Sequence, residues 1–290
     1  MSSRWSYVLA VVACGHPATL PREGPTASFR EIEVATVPGL SGLATDERGG
    51  LWSVAERDDL AYRIVLDDRL HPTIETVPID DVPPNIDLEG IAVLGDGRFA
   101  LGTEGREEGV ATVLLAERRG PRLAVTRVIR LPASAIGIRL AANHGAEGVC
   151  NIGDTIIVAI EGAGEQDGRR WAPIVRIDGG EVVRSHRLWL TTGTGKISAL
   201  DCRLAADGST EVLAVERHFE VTKILRFTLP ATAGDLTPTV LLDLGSELQS
   251  RLNIEGIAWT PRGIIAVVDN QWKIVTMPSR LLLFENGVIH

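Results

Sequence analysis

Five short stretches of the sequence share one wording. Glu89-Gly90-Ile91, Glu147-Gly148-Val149 and Glu255-Gly256-Ile257 lead with a carboxylate, and Ser41-Gly42-Leu43 and Ser198-Ala199-Leu200 lead with a hydroxyl. Brought to one place, these are hard oxygen donors. Three carboxylates about 5 Å apart repel by roughly 3 kcal/mol per pair at an effective dielectric of about 20. The three pairs together cost on the order of 10 kcal/mol, comparable to the stability of a whole domain. Protons or a cation must relieve that crowding. Calcium accepts six to eight oxygens in irregular geometry, whereas magnesium asks for a tight octahedron and zinc favours His or Cys, which these five positions lack. Ser41, Glu89, Glu147, Ser198 and Glu255 are therefore candidate calcium ligands. The competing reading is that the carboxylates bond to backbone N–H groups of neighbouring strands or lie solvated in a wet channel.

A second set of polar residues follows each stretch 14 to 18 residues later: Glu56-Arg57-Asp58, Glu104 with Arg106, Glu161, Glu216-Arg217-His218, and Asp269-Asn270. His144 and Lys196 stand just before the third and fourth stretches. Hydrolysis of a phosphoester needs a cation against developing charge, guanidinium or ammonium groups to hold the phosphate, and a base to activate water. Calcium is assigned as the electrophile, Arg57, Arg217 and Lys196 as phosphate holders, and Glu161, His144 or His218 as the base. Against this, Glu-Arg pairs at 56/57 and 216/217 could simply lock hairpin ends, and loop histidines are commonly surface residues. The sequence has no Gly-x-Ser-x-Gly elbow, His-Glu-x-x-His pair, phosphate loop or dinucleotide fingerprint, which argues against a serine hydrolase or a nicotinamide enzyme.

What must position these residues is a set of hairpins. From Asp87 to Gly105 apolar positions alternate on either side of Gly95-Asp96-Gly97, the pattern of an antiparallel pair around a tight turn. The hairpin returns to the edge it left, so Glu89 and Glu104 are predicted neighbours, and the other four units read the same way. The leading residues recur every 48, 58, 51 and 57 residues, a period that fits propeller blades. Phe29 to Val37 reads as a strand with no hairpin partner, while the last unit offers three strands, Ile254 to Trp259, Ile264 to Asp269 and Leu281 to Glu285. The expected fold is an all-β, five-bladed β-propeller of four-stranded blades over residues 29–290, with the N-terminal strand closing the last blade. Segments Ala133 to Asn143, Gly164 to Trp171, Thr191 to Lys196 and Gly245 to Asn253 are expected to be irregular loops at or beside the polar face.

With 290 residues, 44% of them hydrophobic, the chain can bury one large β domain, and its net charge of −9 argues against a sequence-independent nucleic-acid binder. Its first residues, Met1 to Arg4, an apolar run from Trp5 to Ala13, then Cys14, have the form of a secretory signal ending in a bacterial lipobox. On that reading residues 1–13 are removed, Cys14 is acylated, and residues 14–28 are a tether. The protein is then an exported lipoprotein on the periplasmic face of a membrane or on the cell surface, touching membrane only through its lipid. Cys150 and Cys202, on the first strands of neighbouring units, are either a disulfide of an exported protein or two buried small side chains.

The stretches Leu40-Ser41-Gly42-Leu43, Asp87 to Val93 with Gly102-Thr103-Glu104-Gly105, Asn143 to Val149, Lys196 to Leu200 with Val215 to Phe219, and Asn253 to Trp259 resemble the phytase-like family, whose name records an esterase-like activity. The resemblance spans most of residues 36–272. The order Ser, Glu, Glu, Ser, Glu is also similar to that of the calcium-activated nucleotidases, or animal apyrases, five-bladed propellers with one calcium in the channel. The resemblance implies the same five residues as calcium ligands. The third unit departs from the nucleotidases, with Ala159-Ile160-Glu161-Gly162 where an arginine-rich segment is expected, and no nucleotide-stacking aromatic is evident. The resulting expectation is a calcium-dependent hydrolase of a small-molecule phosphoester or ester, acting at the channel mouth. Its alternative is a non-catalytic lipoprotein propeller with a structural calcium and a loop face for a protein or glycan.

Overall fold

A computed structural model of the protein describes residues 28–105, 107–218, 221–245, 253–269 and 278–286. The proposed signal, Cys14 and most of the tether lie outside the described residues, as do Arg106 and Asn270. Among the described residues no helix is long and apolar enough to cross a membrane.

The fold is all-β and propeller-like. β1 (Arg30–Val34) is followed by β2 (Leu40–Thr45), β3 (Leu51–Ala55), β4 (Leu60–Leu66) and β5 (Pro72–Asp80), of which the last four form one antiparallel meander. The next meander is β6 (Ile86–Gly95), β7 (Arg98–Gly105), β8 (Val110–Arg119) and β9 (Arg122–Pro132). A third comprises β10 (Ala146–Ile152), β11 (Thr155–Ile160), β13 (Arg169–Asp178) and β14 (Glu181–Trp189), with short β12 (Gly164–Gln166) turned back on β13. Then come β15 (Lys196–Leu204), β16 (Thr210–His218), β17 (Val221–Leu229) and β19 (Thr239–Asp243), with β18 (Asp235–Leu236) lying parallel beside β14. β20 (Asn253–Thr260), β21 (Gly263–Asp269) and β22 (Ser279–Glu285) end the chain, and β1 pairs antiparallel with β22 as its fourth strand. Two of the expected loops hold structure: α1 (Ala133–Ile136) lies in the segment 133–143, and the β12–β13 hairpin in 164–171.

Apolar side chains fill the space between successive meanders. One cluster joins the first and second through Trp52, Val54, Leu88 and Leu101, and another joins the second and third through Val113, Leu131, Val149 and Val158. The last closes the circle, with Val34, Ala258 and Val267 packed against Leu40, Leu43 and Ile64. Inner strands are therefore covered on both faces, and β2 is buried from Leu40 to Ala44 without the alternation of a one-sided sheet.

The inner strands also touch one another. A Cβ on Gly42 would stand 2.8 Å from the Gly90 Cα, one on Gly148 would stand 2.7 Å from the Leu200 nitrogen, and one on Gly256 would stand 2.6 Å from the Gly42 carbonyl carbon. This close approach is why a glycine follows the polar residue in these stretches. At the same place the ladders slip, with register shifts between Leu88 and Gly90, Ala146 and Gly148, Ile197 and Ala199, and Ile254 and Gly256. Each shift passes over the leading Glu or Ser, and a bulge of this kind re-aims one side chain out of the pleat's alternation. Of the two alternatives for the cysteines the structure has the bridge: Cys150 on β10 is disulfide-bonded to Cys202 on β15, with Cα atoms 5.5 Å apart.

Candidate functional site

One end of the ring of inner strands opens into a cavity of about 470 Å³. Glu89, Glu147 and Glu255 enter it from the bulges of β6, β10 and β20, and Ser41 from β2. Hairpin ends supply Glu56, Arg57, Glu104, Glu161 and Asp269, and Lys196, Arg217 and Asn143 complete the wall. Among the described residues, seven carboxylates thus face three cations.

The cations are committed. Arg217 donates two hydrogen bonds to Glu255, through Nε at 3.0 Å and through Nη2, and Asn253 Nδ2 adds a third at 2.6 Å. Lys196 Nζ donates to Glu161 Oε1, and Arg57 Nε donates to Glu56 Oε1 at 3.0 Å. Glu147 is the exception among the deep carboxylates. It is 4% exposed, and no described residue donates a hydrogen bond to it. Oxygens of Glu104, Glu147 and Glu161 all lie within 4.8 Å of one another.

Burial dominates the ionisation of the group. It holds the Glu89 carboxyl well above the usual carboxylate range, with Glu147, Glu255, Glu56 and Glu104 pushing the same way. It also raises Glu104 to about 7, helped by Glu147 and Asp87 and opposed by Lys196. Glu255 likewise reaches about 7 through burial, although Arg217 pulls it down. Two oxygens each about 2.4 Å from one ion lie at most about 4.8 Å apart, so the Glu104, Glu147 and Glu161 oxygens can share a cation. This buried acidic cluster could hold a metal ion.

A family model described as phytase-like, esterase-like activity of phytase, matches residues 35–271. The chain belongs to the phytase-like family. No sequence among curated proteins matches this phytase-like chain significantly. Solved structures match it in fold. The PQQ-bound aldose sugar dehydrogenase of Streptomyces coelicolor is similar at a TM-score of 0.52 and 14% identity, over 89% of this chain and 98% of that one. A GH43 β-1,3-galactosidase with galactodeoxynojirimycin gives 0.53 and 10%, over 89% and 97%. The exo-β-1,3-galactanase of Phanerochaete chrysosporium with β-1,3-galactotriose gives 0.52 and 10%, over 87% and 64%. At these identities the likeness concerns the fold.

The phytase-like chain places the other sequence candidates as follows. Ser41 Oγ donates to the Glu89 carbonyl oxygen at 2.6 Å and stands 3.3 Å from Glu89 Oε2, and Ser198 Oγ donates to the Ile254 carbonyl oxygen at 2.9 Å. Both serines tie an inner strand to the next, and Ser198 is absent from the cavity wall. Glu216 points elsewhere. Its carboxylate accepts four bonds, from the N–H groups of Thr191 and Thr192 at 2.9 and 3.0 Å and from their hydroxyls at 2.7 and 2.6 Å, which fastens the loop before β15. His144, Asp58 and His218 do not line the cavity. His144 Nδ1 lies 3.3 Å from the Ala142 carbonyl oxygen, and His218 sits opposite Val221 at the β16–β17 turn. Asn143 and Asn253 were not among the candidates. Asn253 is two residues before Glu255 and bonds both to it and to Asp269, at 3.3 Å for the latter. The available signal was an amide beside a predicted ligand.

Proposed function

We propose that this protein is an exported five-bladed propeller that hydrolyses a small phosphoester or ester in a calcium-dependent way at the channel mouth. The observation that carries the reading is Glu147, buried and without a hydrogen-bond donor among the described residues, beside Glu104 and Glu161 at distances that suit a shared ion. The set contains only oxygens, which selects calcium over zinc. Glu104, Glu147 and Glu161 would hold the ion. Of the residues named from the sequence as ligands, Glu147 belongs to this set, Glu89 stands close by with Ser41 against its carboxylate, Glu255 is occupied by Arg217, and Ser198 serves the backbone.

Calcium, when bound, supplies charge neutralisation and polarisation of an ester or phosphoryl oxygen. The chain's own groups do the rest. Arg57, half-exposed at the rim, and Lys196 are the cations that would receive an anionic substrate, while Arg217 orients Glu255. With the histidines not lining the cavity and Glu161 among the ion's ligands, Glu89, which lines the cavity beside that set, would be the carboxylate that activates water. Export fits the disulfide, which persists in an oxidising compartment.

Assays on aryl phosphates, phytate, nucleotides and aryl esters, with calcium and with chelator, test the proposal. Activity on one class that disappears with chelator and in Glu147→Gln is the expected result, and activity that ignores both would overturn it. That no histidine lines the cavity among the described residues favours a second reading, a non-catalytic propeller that binds calcium and a protein or glycan. Inertness on every substrate with intact calcium binding would select it. Mass spectrometry of membrane fractions, with acylated Cys14 as the expected amino terminus, tests the anchor.

A further inference from the structure

Two cations sit deep in the cavity, and they are held differently. Arg217 is 18% exposed and grips Glu255 with a planar fork, while Asn253 takes the same carboxylate from the side. A guanidinium in this position keeps its charge and its geometry. Lys196 is 26% exposed and meets Glu161 at one point, Nζ to Oε1, on a flexible four-carbon stem. Glu161 is also one of the three carboxylates whose oxygens lie within 4.8 Å of one another, and its neighbour Glu147 is buried with no hydrogen-bond donor among the described residues. An ion shared by these oxygens would stand about 2.4 Å from the oxygens it binds. The ammonium already donates to one oxygen of Glu161, so two positive charges would compete for one carboxylate.

We infer that Lys196 is the occupant a divalent ion displaces from Glu161, and that the freed ammonium becomes the cavity's anion-binding group. Ion binding and anion binding are thereby coupled. The inference rests on the metal reading above and adds to it a regulation of the same site. Without the ion, Lys196 is spent on Glu161, and the described lining of the cavity, with seven carboxylates against three paired cations, disfavours anions. With the ion in place, Lys196 remains a lining residue on the first position of β15 and has a stem long enough to turn toward the opening. By linkage, an anion that binds the released ammonium must tighten the ion by the factor through which the ion tightens the anion.

Titration calorimetry of calcium into chelator-treated full-length protein, with and without saturating methylphosphonate as a non-hydrolysable probe, tests this. Wild type should bind calcium about 10-fold more tightly with the probe present, within the usual range of such couplings. Lys196→Met should bind calcium about 10-fold more tightly than wild type without the probe and show no further gain with it. Lys196→Arg, which offers Glu161 a fork, should move calcium affinity in the opposite direction, and Arg57→Met controls for loss of a cavity charge away from the triad. A Lys196→Met protein that binds calcium no more tightly than Arg57→Met, or keeps the wild-type coupling, overturns the inference and leaves the metal reading standing. Absence of calcium heat in wild type and Lys196→Met alike removes both. Thermal melts of each variant establish folding, and the opposite signs expected for Met and Arg keep the test decisive if one of them does not fold.

Discussion

Glu147 and Glu216 are both buried glutamates, 4% and 0% exposed, and the protein treats them in opposite ways. Glu216 receives four hydrogen bonds from Thr191 and Thr192. Glu147 receives none from any described residue; it stands with Glu104 and Glu161, and the charge of Arg217, which is hydrogen-bonded to Glu255, offsets it from a distance. A buried charge must be paired or hydrogen-bonded, and the first carboxylate is satisfied by its own chain. The second has no hydrogen-bond donor among the described residues, only the charge of an arginine bonded elsewhere. Burial and residue type alone do not distinguish a structural acid from a ligand; the donors around it do.

The largest effect should come from undoing the satisfied member. Glu216→Ala would strand four donors in a buried loop and is expected to cost on the order of 3 kcal/mol or more, read as a lower urea midpoint at unchanged slope. Glu147→Gln should do the reverse in calcium-free protein, relieving repulsion and raising stability by about 1–3 kcal/mol. A loss of stability in Glu147→Gln would mean that Glu147 has a structural partner and would erase the contrast.

Acidity gives a third way in. Glu104 and Glu255 titrate near 7 in the fold, against 4.5 for an ordinary glutamate. A folded carboxylate with a raised pKa holds its proton longer than the unfolded one, so its penalty grows as pH rises from about 4.5 to 7. The calcium-free protein should therefore gain stability from these groups as pH falls through that window, and Glu104→Gln should flatten the dependence in urea melts. Saturating calcium should remove it as well.

A fourth, smaller effect concerns His186, which is buried with neither ring nitrogen hydrogen-bonded to a described residue and has its pKa lowered by burial and by Arg184 and Arg176. It is a buried polar group left alone by being neutral. Its lowered pKa means that the wild type loses stability as pH falls below the unfolded value of about 6.5. His186→Leu should show no such loss, and the stabilities of the two proteins should run parallel above pH 7. The smallest change is expected at the serines, where Ser198→Ala should cost about 1 kcal/mol with calcium binding unaltered.

How much of this was readable from the sequence depends on whether a feature repeats. The Glu-Gly and Ser-Gly stretches, the hairpins and the unpartnered first strand are periodic, and β1 pairs with β22 where an orphan strand was needed. The bulges that turn Glu89, Glu147 and Glu255 toward the cavity were implicit in the same repeats, since each ends in a glycine whose neighbour strand leaves no room for a Cβ. What is not periodic was not readable. Thr191 and Thr192 bond to a glutamate about 25 residues later, and nothing local marks the pair. Nor did the spacing show that Arg217 would be committed to Glu255, or that His144 and His218 would stand away from the cavity. Sequence gave the candidate donors and acceptors, and tertiary structure decided which were already taken.

The central claim is that Glu147 receives no hydrogen bond from the described residues because an ion is its ligand partner, and calcium binding to chelator-treated wild type and Glu147→Gln tests it most directly. One calcium per chain, raising the wild-type melting temperature and binding Glu147→Gln on the order of 100-fold more weakly, is the predicted result. Equal calcium affinity in the two proteins, or no binding to either, would contradict it.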